Sequence, residues 1–271
     1  MERNILFLSL ILLLVSCQGN DLTQDAALKR KNQKGAYITR KAEEKTLVPP
    51  MQLQPPPSYT WDLWKKSSLP TITKEHFRCK GSAANPSRSE VVRNEKVIYF
   101  DCGGSEKHSL FLKDGKECVY PILVKLLNYV QEKTGKKVVI TSGYRCPEHN
   151  TYVDSSPANQ TSKHMVGAEV DFYVQGMEHK PEEVVKILMD YYKGKKGHEE
   201  FKRYEKPDSQ VSTPPWMNKE VFIKLYKAAE GRNFDNRHSY PYIAIQVRHD
   251  SATNQRVIYS WDQAFRGYLR Y

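Results

Sequence analysis

The stretch VYPILVKLLNYVQEKTGKKVVITSGYR, residues 119–145, constrains the fold more than any other part of the chain. Its apolar residues Ile122, Leu123, Leu126, Leu127 and Val130 recur with the helical period, which predicts an amphipathic helix stopping at Gly135. The residues that follow, KVVIT, form a short continuous apolar run, the pattern of a buried strand, and open into a loop at SGYR. A one-faced helix feeding a buried strand needs a sheet for the strand and a helical layer packed on it.

Other segments extend this pattern. EKVIYFDC (95–102) and HSLFLKD (108–114), separated by GGSEK, predict a hairpin near the start of the domain. PEEVVKILMDYYK (181–193) predicts a second helix with Pro181 in its first turn, and NKEVFIKLYKAAEGR (218–232) a third. PYIAIQVRH followed by QRVIYSW predicts a terminal pair of antiparallel strands, and the charged stretch 194–215 between helices predicts an exposed loop. No internal repeat is visible. Helices interleaved with hairpins, rather than regular βαβ units, point to the α+β class.

Two segments carry chemistry. ITSGYRCPEHN (140–150) runs a strand into a glycine turn, with Tyr144, Arg145 and His149 expected to be exposed. SKHMVGAEVDF (162–172) presents His164 and Asp171 across a turn at Gly167, and an imidazole with a carboxylate are ordinary zinc ligands. A histidine and an aspartate seven positions apart occur often by chance, so the spacing alone decides nothing.

Taken together, a strand ending in Ser142-Gly143-Tyr144-Arg145, then Pro147-Glu148-His149-Asn150, then Ser162, His164, Gly167 and Asp171 resembles the zinc D-alanyl-D-alanine carboxypeptidases, whose fold group includes the hedgehog signalling domain and murein endopeptidases. The likeness is specific over about residues 118–173, with Ala168 one position from the usual alanine and Glu169 in the spacer before Asp171. It implies a central antiparallel sheet flanked by helices. It also implies one Zn2+ on His164, Asp171 and a histidine from a later strand, leaving a position for water. Arg145 would grip substrate or stabilise an oxyanion, and Ser162 would orient the site; the plainer alternatives are that Arg145 pairs with a neighbouring acid and Ser162 caps a turn.

The later strand is where the pattern departs. Laid on YIAIQVRHD (242–250), the histidine positions fall on Ala244 and Gln246, and a glutamine carbonyl is a far weaker zinc donor than imidazole. His249 and His238 are the substitutes, the first requiring a bulge to change its direction and the second a sharp turn at Ser239–Pro241. Asp250, Glu230 and Asp235 are the candidates for the general base.

The first residues, MERNILFLSLILLLVSC, read as an export signal (1–16), and Leu14-Val15-Ser16-Cys17 resembles the bacterial lipobox, with Cys17 the lipidated residue. Residues 17–70 read as a Lys- and Pro-rich tether in which Trp61 and Trp64 can dock onto the domain, and 71–271 as the domain itself. In such a compartment the remaining four cysteines predict two disulfides, Cys79–Cys102 and Cys118–Cys146, over a four-cysteine zinc cluster, since no CxxC pair occurs. The net charge of +11 suits anionic lipid headgroups or an acidic wall polymer, and with an export signal no nucleic acid is expected. Gln18 after the cysteine favours the outer membrane of a bacterial envelope, facing the periplasm. Three readings follow: a zinc peptidase acting on peptidoglycan stem peptides or cross-links, a catalytically degenerate peptidoglycan-binding pseudoenzyme, or a basic surface adhesin using the lysines of 194–206.

Overall fold

The computed structural model describes residues 69–195, 200–205 and 210–271. The expected signal segment, Cys17 and the tether with Trp61 and Trp64 lie outside the described residues. All the described residues belong to one unit, Leu63–Tyr271.

A 3-10 turn at Lys74–Phe77 leads into the antiparallel hairpin β1 (Arg88–Val92) and β2 (Glu95–Tyr99). A second, two-residue hairpin joins β3 (Leu112–Lys113) and β4 (Lys116–Glu117). Next comes helix α1 (Pro121–Thr134), then β5 (Val138–Ser142), the short helix α2 (Pro147–Val153), β6 (Glu169–Val174) and helix α3 (Pro181–Asp190). β7 (Lys202–Arg203), β8 (Trp216–Met217), β9 (Val221–Tyr226) and β10 (Tyr242–Val247) follow, then the β11 (His249–Asp250) and β12 (Gln255–Arg256) pair and helix α4 (Trp261–Arg266). The central sheet is six-stranded, in the order β5-β6-β10-β9-β8-β7, and every adjacent pair is antiparallel. This is the α+β arrangement of a central antiparallel sheet with flanking helices.

Period-2 alternation divides the two faces of the sheet. Val170, Phe172 and Val174 of β6, Val221, Ile223 and Leu225 of β9, and Ile243, Ile245 and Val247 of β10 join Leu123, Leu126, Leu127 and Val130 of α1 and Val184, Val185 and Leu188 of α3 in one core. The residues between them, Glu169, Asp171, Lys224, Tyr226, Tyr242, Ala244 and Gln246, share the opposite face through the registers Ala244↔Asp171, Gln246↔Glu169 and Ala244↔Lys224. One face is therefore oily and helix-covered, and the other carries nearly all of the sheet's polar chemistry.

Three expectations are corrected. Residues 218–232 do not form a helix: Val221–Tyr226 is the inner strand β9, whose β-branched and aromatic residues suit a sheet buried on both faces. The two segments expected to pair across GGSEK instead each pair locally, β2 with β1 and β3 with β4, because Arg93-Asn94 and Asp114-Gly115 all take positive φ and make tight two-residue turns. The terminal strand pair forms only at its tip, β11 with β12, while β10 enters the sheet centre between β6 and β9.

The cysteine pairing also differs. Cys79, Cys102, Cys118 and Cys146 are all free thiols. Cys146 lies beside Cys79 and Cys102 rather than Cys118, because it caps the first turn of α2 while Cys118 is held at the end of the β3–β4 hairpin by its N–H to the Phe111 carbonyl. Cys79 and Cys102 are neighbours, with sulfurs 3.9 Å apart.

Candidate metal centre and cleft

Two close backbone approaches set the site. A Cβ on Gly143 would stand 2.6 Å from the Phe77 backbone, and the Tyr144 N–H donates to the Phe77 carbonyl at 2.7 Å, so the SGYR turn is pressed inward. As a result Tyr144, Arg145 and His149 are 1%, 2% and 0% exposed, contrary to the exposure expected from the loop. Gly167 takes a left-handed φ of 66°, where a Cβ would also meet the Cys118 carbonyl at 2.7 Å. It ends the 3-10 turn Lys163–Val166, whose first N–H groups are capped when Ser162 Oγ accepts from the His164 N–H at 3.3 Å.

This turn aims His164 at β6. His164 Nδ1 lies 2.7 Å from the Gly143 carbonyl, which can only accept, so Nδ1 carries the proton and Nε2 is left as the donor atom facing the sheet. Nε2 lies 3.5 Å from Asp171 Oδ2 and 3.9 Å from Glu169 Oε1, and the three groups are buried. Burial and Arg145 push the His164 imidazole down, but Glu169 and Asp171 outweigh them and hold its pKa above the ordinary value. Burial likewise pushes Asp171 up, and His164 and Arg145 pull it below the usual carboxylate range. The Asn236 side-chain amide donates to Asp171 Oδ2 at 2.8 Å, and Gln246 Nε2 donates to Glu169 Oε1 at 2.8 Å.

Behind Asp171 is a charged lattice. Arg145 Nε donates to Ser142 Oγ at 2.7 Å and to Asp235 Oδ2 at 2.9 Å, while Arg145 Nη2 lies 3.6 Å from Asp171 Oδ2. His149 bridges Asp235 Oδ1 (3.1 Å) and Asp101 Oδ1 (2.6 Å) through its two ring nitrogens. Burial disfavours its charge, yet the two carboxylates raise its pKa to about 9, so it is an imidazolium held between them. Asp235, pushed up by burial, is pulled far below the ordinary range by Arg145 and His149.

Above the group opens a cleft of about 580 Å³, bordered by Ser162, Arg145, Tyr204, Gln210, Tyr226 and Gln246 among others. The sequence candidates are thus distributed unevenly. His164, Asp171, Arg145 and Ser162 come together; His249 borders a separate, smaller cleft with Asp250, and His238 packs among the rings of Tyr173, Tyr240 and Tyr242. Neither histidine joins the group at His164. Of the proposed bases, Asp250 pairs with Lys113 at 2.6 Å, Glu230 accepts from the Lys227 and Ser212 N–H groups, and Asp235 is neutralised as above. The residue missed was Glu169. Its signal was present in the motif, because in S-x-H-x-x-G-x-A-x-D the alanine position is the one Glu169 fills.

A buried histidine–carboxylate group at the floor of a polar cleft, on the face of an antiparallel sheet turned away from α1 and α3, has the donor types of a metal centre. The comparison with known families agrees: residues 103–205 match the family described as Peptidase M15, which bears out the resemblance to zinc D-alanyl-D-alanine carboxypeptidases over that segment. The matched segment contains the SGYR, PEHN and SKHMVGAEVD motifs and stops before β8, so Gln246 lies beyond it. No curated protein and no solved structure matches the chain.

Proposed function

We propose that this is a zinc peptidase that cuts peptide bonds in peptidoglycan stem peptides or cross-links, with the metal on His164, Asp171 and Glu169. One observation carries the reading. The two departures from the family pattern, a glutamate for the motif alanine and Gln246 for a histidine, stand opposite each other in the β6–β10 ladder and are hydrogen-bonded. The donor that β10 lacks is thereby offered from β6. Donor atoms about 2.1 Å from a common ion would stand about 3.4 Å apart, and the spacings of 3.5 and 3.9 Å from His164 Nε2 fit such an ion with little adjustment.

Zinc bound there would polarise a scissile carbonyl and lower the pKa of a water in its open position. The protein's own part is positional. The Gly143 carbonyl fixes the His164 tautomer, Asn236 and Arg145 orient the Asp171 carboxylate, and Gln246 orients Glu169. Tyr204, Tyr226 and Gln210 give the cleft wall the mixed aromatic and amide character that suits a peptide substrate. The lipobox-like start and the net charge of +11 support a lipid-anchored protein in a bacterial envelope, with an outer-membrane position facing the peptidoglycan.

The test is digestion of purified peptidoglycan and soluble muropeptides, read by mass spectrometry. The wild-type chain is expected to release D-alanine or shortened stem peptides, and Glu169→Ala and His164→Ala to lose at least the ~100-fold that disturbing a ligand's support already costs. The degenerate reading has its own observation, since Arg145 and Gln246 already supply positive or donor groups to both carboxylates. Peptidoglycan binding without cleavage, in protein supplied with zinc, would decide for it.

A further inference from the structure

Three cysteines and a histidine that the cleft does not use converge elsewhere. Cys79 follows the first 3-10 turn, Cys102 follows β2, His108 lies in the next loop and Cys146 caps α2. Cys79 and Cys102 sulfurs are 3.9 Å apart, Cys102 Sγ is 3.7 Å from His108 Nε2, and all four donor atoms, with Cys146 Sγ, lie within 4.8 Å of one another. Four donors about 2.3 Å from a common centre stand about 3.8 Å apart, the edge of a tetrahedron.

We propose that Cys79, Cys102, His108 and Cys146 bind a structural Zn2+ ion, separate from the metal group in the cleft. The donor set is of the Cys3His kind that zinc takes in closed sites. His108 Nδ1 sits 2.9 Å from the Ser109 carbonyl, so this nitrogen carries the proton and Nε2 turns its lone pair to the cysteines, the usual support for a histidine ligand. The His149 N–H donates to Cys146 Sγ at 3.4 Å, as thiolate ligands commonly accept. The four residues are 5%, 8%, 4% and 0% exposed, which leaves no position for substrate and makes the role structural.

The fold around them gives the ion a task. Between Arg78 and His108 the regular structure is the β1–β2 hairpin and a single bridge from Ser82 to Gly104, and Val91, Ile98 and Phe100 of that region are exposed. So thin an apolar core fixes this region weakly, and one ion tying four chain segments supplies the missing cross-link. A disulfide is the rival arrangement. Any bond between two of the three sulfurs leaves the third thiol buried beside His108, with Cys118 outside the group.

The test uses the full chain. In the double variant His164→Ala/Asp171→Ala, which removes two of the three cleft ligands and with them tight binding there, zinc is expected to stay near one equivalent, and cobalt-loaded protein to keep the near-ultraviolet thiolate-to-metal band. Cys102→Ser added to that double variant is expected to lose both. Should that variant not fold, the wild type suffices: Cys79, Cys102 and Cys146 should resist alkylation until a chelator is added. Non-reducing peptide mapping that finds any two of the three joined, a cobalt-loaded double variant without the band, or alkylation that ignores the chelator would each overturn the site. Loss of hydrolysis in the double variant with the band retained separates this proposal from the peptidase reading.

Discussion

Glu169 and Gln246 act as a pair. Gln246 cannot replace an imidazole as a metal donor, but its amide N–H steadies a carboxylate that can. Restoring the histidine on β10 should therefore add a donor to the existing set: Gln246→His is expected to tighten zinc binding about 10-fold or more, measured by competition with a chromophoric chelator. Unchanged or weaker affinity would mean that β10 does not face the ion. At this scale the sequence was legible only where chemistry was local. His164 and Asp171 sit within one turn and one strand, so their motif exposes them, whereas the partnership of Glu169 with Gln246 spans 77 positions and depends on a ladder register. Asn236 was hidden for another reason: Asn233 Oδ1 accepts its N–H group and that of Asp235, and nothing in NFDN marks this turn as part of a site.

Among the elements, α1 is the most legible and the most committed. Leu123, Leu126, Leu127 and Val130 are each 0% exposed, as their period predicts, and Leu126→Ala should cost about 2–5 kcal/mol in urea unfolding, since it removes a fully buried side chain and leaves a cavity. α2 depends on electrostatics instead. His149 gains stability from its charged form between Asp101 and Asp235, with a folded pKa of about 9 against an ordinary 6.5. That contribution, about 3 kcal/mol at most, is present in full below about pH 6.5 and is lost as pH rises through about 9. Urea stability of the wild type should therefore exceed that of His149→Gln by most below neutrality and converge with it above about pH 9; a gap independent of pH would remove the imidazolium from the account. Where element prediction failed, it failed on strands. VFIKLY in β9 has apolar residues on both faces, so the alternation that separates strand from helix is blurred by burial on both sides.

For the whole molecule, the α+β class was readable from the mixture of helical and strand patterns, but the strand order was not. The sequence neighbours β8 and β9 pair, although β9 reads as helix in the sequence, while β10, the last strand of the sheet, is inserted between β9 and β6. No local pattern encodes an insertion; it follows from which apolar faces are left uncovered when the other strands have formed. The matched family segment, 103–205, consequently contains the His164 and Asp171 motif without the strands that complete the sheet around it.

That insertion has a consequence for how the protein is made. While the chain emerges from the ribosome, β6 is finished some 70 residues before its central partner, and its bare edge displays Glu169 and Asp171 until Tyr242–Val247 arrives. Ladder closure, and with it the Gln246 hydrogen bond that steadies Glu169, is then a late event, so a group whose three side chains are all made by residue 171 is held in place only when synthesis is nearly over. A chain stopped after residue 240 should be protease-sensitive and retain no zinc on His164, whereas one carried through Tyr271 should resist the same protease; equal resistance would show that the sheet closes without β10.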